Sequence, residues 1–144
     1  MANLGCGGGQ KANVAAMSSL ENANSARTNI EELGMVVNIP YEAEDIVWKE
    51  TADHKQVTGV LRFSPQDANR LVTEAADRQS PLEVKLSSEP WFPAELIAQA
   101  DVSGDDSLNG LAYDAEAFYQ EPYTAGRVVR IVGTNYFVLE LSAK

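Results

Sequence analysis

The chain of 144 residues carries one cysteine and one histidine, and it has no apolar run of membrane-span or signal-peptide length. A single cysteine forms no internal disulfide, and one cysteine with one histidine cannot fill the four-ligand shell of a zinc site. Positive charge is scarce as well. Eleven Lys and Arg stand against 21 Asp and Glu, a formal net charge of -10. Affinity for nucleic acid rests largely on cations that neutralise phosphate, so nucleic acid is not expected as a partner. Anionic lipid surfaces are disfavoured for the same reason, which leaves a lipid anchor as the expected route to a membrane. The Gly-x-Ser-x-Gly elbow and the phosphate-cradling glycine loop are both absent; Gly7-Gly8-Gly9 follows no strand and precedes no lysine-bearing helix. No catalytic residue is assigned on these grounds, and the expectation leans away from an enzyme.

What is present is ordinary globular material. Hydrophobic residues make up 44% and charged residues 22%, enough for one respectable core without metal or disulfide staples. The acid is unevenly spread: Ala94 to Ala125 holds seven acidic residues (Glu95, Asp101, Asp105, Asp106, Asp114, Glu116, Glu121) and no Lys or Arg. A solvated face that maintains solubility accounts for this run, and a docking surface for a cation or a basic partner is the sharper alternative.

Residues 1–34 are expected to form a tether. Val14, Met17 and Leu20, then Ile30 and Leu33, fall at helical steps, but Asn13, Asn22, Asn24 and Asn29 compete with helix through local backbone bonds. Residues 35–144 are expected to form a single domain. Met35–Ile39, Asp45–Glu50 and Gln56–Phe63 have strand character. Ser64 then caps a helix with Pro65 in its first turn, and Ala68, Leu71, Val72, Ala75 and Ala76 share one apolar face as far as Arg78. Leu82, Val84 and Leu86 alternate with Glu83 and Lys85 as a half-buried strand. Pro93 opens a short helix through Ala98, residues 101–110 form a loop, and Tyr113–Tyr119 form a second short helix. Arg127–Val132 and Tyr136–Leu141, joined by Gly133-Thr134-Asn135, predict a hairpin in which Arg130 and Glu140 pair across the strands. The fold class expected is α+β: a mainly antiparallel sheet, one clear amphipathic helix, one or two short helices and a C-terminal β-hairpin.

Leu4-Gly5-Cys6-Gly7 resembles the processing site of bacterial lipoproteins, with Asn3 where the family places an apolar residue and Leu4 one position late. The resemblance implies lipid on Cys6 and a glycine-rich linker that lets a domain hang clear of the membrane. A second resemblance, to bacterial envelope domains, rests on Ile39-Pro40-Tyr41-Glu42-Ala43-Glu44-Asp45 leading into two strands, then Phe63-Ser64-Pro65 and the helix. No activity comes with it. The location implied is the bacterial cell envelope, with the cytoplasm as the alternative.

Three candidate sites follow. Asp101, Ser103 and Asp105 sit at alternate positions like the first ligands of an EF-hand, although Asp106 replaces the glycine and Ala112 the bidentate glutamate, so calcium is the one cofactor considered. Trp91, Phe92, Tyr113, Tyr119 and Tyr123 gather in the acidic half as an aromatic binding surface, and such aromatics also serve as core anchors. His54 lies in a polar turn between Asp53 and Lys55 with no pocket in view. The function expected is a non-enzymatic binding or protein-interaction domain with a protein or small-molecule partner. The alternative is a small cytoplasmic accessory protein, or a carboxylate-based enzyme acting on a neutral or cationic ligand.

Overall fold

The structure, a computed structural model, describes residues 26–143. The expected tether as far as residue 25, with Cys6 and the glycine run, lies outside them. Six antiparallel strands form one sheet: β1 (Asp45–Glu50), β2 (Gln56–Arg62), β3 (Leu82–Ser87), β4 (Ser107–Asp114), β5 (Tyr123–Ile131) and β6 (Tyr136–Ala143). Their order across the sheet is β1-β2-β6-β5-β4-β3. Among the described residues three α-helices accompany it: α1 (Ile30–Gly34), α2 (Pro65–Arg78) and α3 (Ala94–Ser103), with a short 3-10 turn at Glu116–Phe118.

Alternation divides the strands between two apolar layers. Phe137, Leu139 and Leu141 of β6 pack with Leu61, Val57, Trp48 and Val128 beneath Ala68, Leu71 and Ala75 of α2. The opposite side chains, Tyr136, Val138, Val60, Val129 and Ile131, meet Leu96 and Ala100 of α3. The sheet is therefore sandwiched between helices, but among the described residues the short helix α3 covers only part of its own face.

Local chemistry explains the helix ends. Ser64 Oγ accepts from the Asp67 amide at 3.1 Å, Pro65 fills the first turn and Arg78 sits in the last, as the spacing predicts. Helix α3 runs five residues beyond the expected stop at Ala98 and ends at Gly104, whose φ of +86° is the left-handed C-cap conformation. Tyr136 Oη donates to Glu95 Oε1 at 2.8 Å and ties β6 to α3; burial first, then this bond, pushes the phenol up to about 12.

Four local expectations are corrected. Met35–Ile39 is not a strand; it follows α1 as irregular chain with Val37 fully buried. Domain packing begins before residue 35, because Arg27 bridges to Trp48 and Leu33 is fully buried. Ser107–Asp114 is a sheet strand rather than loop and helix, and of the expected helix at Tyr113–Tyr119 only the turn Glu116–Phe118 is helical. Glu140 pairs with Arg127, not Arg130: the loop spans residues 132–135, so Arg127 faces Glu140 in the ladder and Arg127 Nε lies 2.7 Å from Glu140 Oε1. Arg130 instead binds Asn135 Oδ1 at 2.7 Å, Thr134 O at 3.0 Å and Asn69 Oδ1 at 3.2 Å, pinning the hairpin to α2.

Candidate functional site

The five aromatics of the expected surface do not share one surface. Phe92, Tyr113 and Tyr123 are buried. Tyr113 belongs to the α2 layer because β4 is a strand and alternation turns its side chain inward, and Tyr123 opens β5 in the same layer. Tyr119 is half-buried, and its hydroxyl donates to Gly126 O at 3.4 Å. Only Trp91 stands at the open side of the sheet, half-buried and resting edge-to-face on Phe92 with ring centroids 4.9 Å apart.

Around Trp91 the fold assembles a groove of about 350 Å³, lined by Lys49, Thr51, Gln56, Thr58, Glu89 and Trp91 among others. The β1–β2 register places Lys49 opposite Thr58 on the face that α3 leaves uncovered. Lys49 Nζ lies 5.6 Å from the centre of the Trp91 ring, a cation–π contact, and has no ion-pair partner among the described residues. Trp91 Nε1 donates to Glu89 Oε1 at 2.9 Å, which fixes the indole plane. A second depression of about 220 Å³ shares Gln56 and Thr58 and extends the trough over Glu140 and Ser142. Another hollow, of about 410 Å³, lies at the β5–β6 turn, where Arg130 already serves the hairpin and Asn69.

Beside the groove, Glu50 ends β1 with its side chain only 9% exposed. Tyr123 Oη donates to Glu50 Oε2 at 2.6 Å, and His54 Nδ1 lies 3.3 Å from the same oxygen. Burial and then the Glu50 bond raise the Tyr123 phenol well above its ordinary value. His54 is held in the left-handed region (φ +57°) by a turn in which Thr51 Oγ1 donates to Asp53 Oδ1 at 2.6 Å and the Lys55 amide donates to that oxygen at 3.1 Å. The Thr51 bond, then the Lys55 amide, lower the Asp53 carboxyl. A carboxylate that orients an imidazole is part of base catalysis, but among the described residues no hydroxyl or thiol hydrogen-bonds the His54 ring.

Asp101 and Ser103 lie on the last turn of α3 and Asp105 just past it. Asp105 Oδ1 accepts from Ser103 Oγ at 2.9 Å and from Ser107 Oγ and its amide at 2.5 and 3.2 Å, while Oδ2 faces Lys85 Nζ at 3.7 Å. The Ser107 bond, followed by that of Ser103, holds the carboxyl down at about 2. Its oxygens are thus spent on closing the α3–β4 turn, and among the described residues no three His, Cys, Asp or Glu side chains converge as a metal-ligand group.

Composition singled out Trp91; it missed Lys49, Gln56 and Thr58, which lie more than thirty positions away and reach the indole only through the strand ladder. The signal available was the alternation of β1 and β2, which places these polar residues on the face opposite Trp48 and Val57. No protein-family model, curated protein or solved structure matches the chain.

Proposed function

We propose that the protein is a non-enzymatic binding domain that receives a protein partner on the bare half of its sheet, with Trp91 as the anchor at the rim. The observation that carries this reading is the trough in which Trp91, Lys49, Gln56 and Thr58 stand together on a face that no helix covers among the described residues. A tryptophan held in place by neighbours and flanked by polar side chains is the residue pattern of an interface hot spot. Glu89, Glu140 and the overall charge of -10 favour a partner with a neutral or basic contact surface.

The test is capture from a bacterial envelope extract by the immobilised protein, read by quantitative mass spectrometry. Trp91→Ala is expected to lower retention of the specific partner at least about tenfold, while Val132→Ser, at an exposed loop position remote from the groove, leaves it unchanged. The same retained set for wild type and Trp91→Ala contradicts the assignment.

The resemblance at Leu4-Gly5-Cys6-Gly7 extends the proposal to a lipid tether on Cys6, which would hold the domain at the envelope. Labelled palmitate is then expected to enter the protein when the natural gene is expressed in a bacterium, and to be lost in Cys6→Ser; equal labelling of the two rejects the tether.

A further inference from the structure

Among the described residues, strand β3 ends the sheet and pairs only with β4. The Ser88 amide donates to Asp106 O at 2.9 Å and continues that ladder, so by two-residue alternation the amides of Leu82, Val84 and Leu86 face β4. Those of Glu83, Lys85 and Ser87 point outward, with their carbonyls, as an open template. On the α3 side of the same strand Leu82 is 65% exposed beside half-buried Val84.

We propose that a second copy of the chain binds this edge antiparallel, about a two-fold axis at Val84, and joins two sheets into one. The occupant follows from charge complementarity. Leu82-Glu83-Val84-Lys85-Leu86 reads the same in chemical character from either end. Centred on Val84, Glu83 faces the partner's Lys85 and Lys85 faces the partner's Glu83, and both pairs are of the type that exchanges two backbone hydrogen bonds. Leu82 faces the partner's Leu86, so its exposed side chain gains an apolar neighbour. Moving the axis one residue either way sets Glu83 against Glu83 or Lys85 against Lys85, so like charges penalise the neighbouring registers. Lys85 is released for this by giving up a largely exposed contact with Asp105 at 3.7 Å, a kind of pair that contributes little. Pro81 has no amide to offer and closes the paired segment. The interface is isologous, as two-fold dimers require.

Sedimentation equilibrium of the full chain across the micromolar range tests the proposal. The wild type is expected to be a reversible dimer. Glu83→Lys, which makes both charge pairs repulsive, is expected to weaken association at least about tenfold, and adding Lys85→Glu restores it by exchanging the signs. Lys85→Pro removes an outward amide while sparing the β3–β4 ladder, and is expected to give a monomer whose circular dichroism matches the wild type. A wild type that is monomeric throughout, a dimer indifferent to Glu83→Lys, or a charge exchange that fails to restore a dimer weakened by Glu83→Lys overturns the assignment.

Discussion

The two edges of the sheet are finished differently. At β1 the chain closes its own edge. The Arg27 amide donates to Trp48 O at 2.7 Å and the Trp48 amide to Arg27 O at 2.8 Å, the Arg27 guanidinium lies 4.9 Å from the indole centre, and Trp48 Nε1 donates to Asn29 O at 3.0 Å. Asn29 in turn caps α1, its Oδ1 accepting from the Glu31 and Glu32 amides at 2.8 and 3.1 Å. At β3, among the described residues, no such strap crosses the outward amides. An unprotected edge is an aggregation liability unless it is short, charged or used. Here it is short and carries charges that complement themselves. One edge therefore contributes to stability, and the other is left for recognition.

Three substitutions sharpen this contrast, taken from the largest effect to the smallest. Trp48→Ala removes a side chain only 1% exposed that packs over Gly59 and holds the strap, and is expected to cost about 3–5 kcal/mol in urea unfolding. A loss below 1 kcal/mol would mean the β1 edge is not sealed as described. Asn29→Ala removes the α1 cap and is expected to cost about 0.5–2 kcal/mol, with faster amide exchange at Trp48 as its local signature; unchanged exchange there would separate the cap from the strap. Asp105→Asn acts at the β3 end and shows in the pH dependence. The folded carboxyl titrates near 2 against an ordinary 3.8, so its stabilising contribution is complete above about 4 and is lost as the pH falls toward 2. The variant is expected to be less stable than the wild type at neutral pH and to converge with it in acid, followed by thermal melts across that window. A constant difference down to pH 2 would deny Asp105 its role in the turn.

The elements that were legible from sequence are those where one signal dominates. Ser64-Pro65 opens α2, strict alternation marks β3, and the β-branched runs of the last twenty residues make the hairpin. Strand β4 was hidden because Asn109-Gly110 reads as a turn. The glycine is there for space: a Cβ at Gly110 would run into Val129 Cγ1 and lie 2.9 Å from Arg130 O, so the β4–β5 contact admits no side chain. Asn29 was weighed against helix as a backbone competitor, and the same chemistry makes it the cap of α1. The expected Arg130–Glu140 pair was three positions out of register, because the ladder sets Arg130 opposite Phe137 and Arg127 opposite Glu140. The candidate site was legible only at Trp91. Aromatic composition does not distinguish a rim from a core: Tyr113 on β4 and Tyr123 on β5 turn into the α2 layer, and Phe92, in the turn before α3, packs with Leu96 and Ala100.

Residue-resolved amide hydrogen exchange at a low and a high protein concentration tests the difference between the edges most directly. The Trp48 amide, bonded to Arg27, is expected to be protected at both concentrations, whereas Glu83 and Lys85 should exchange freely in dilute protein and become protected when it is concentrated. Open exchange at Glu83 and Lys85 under both conditions, or an unprotected Trp48 amide in the folded protein, would contradict a sheet with one sealed edge and one edge reserved for a second copy.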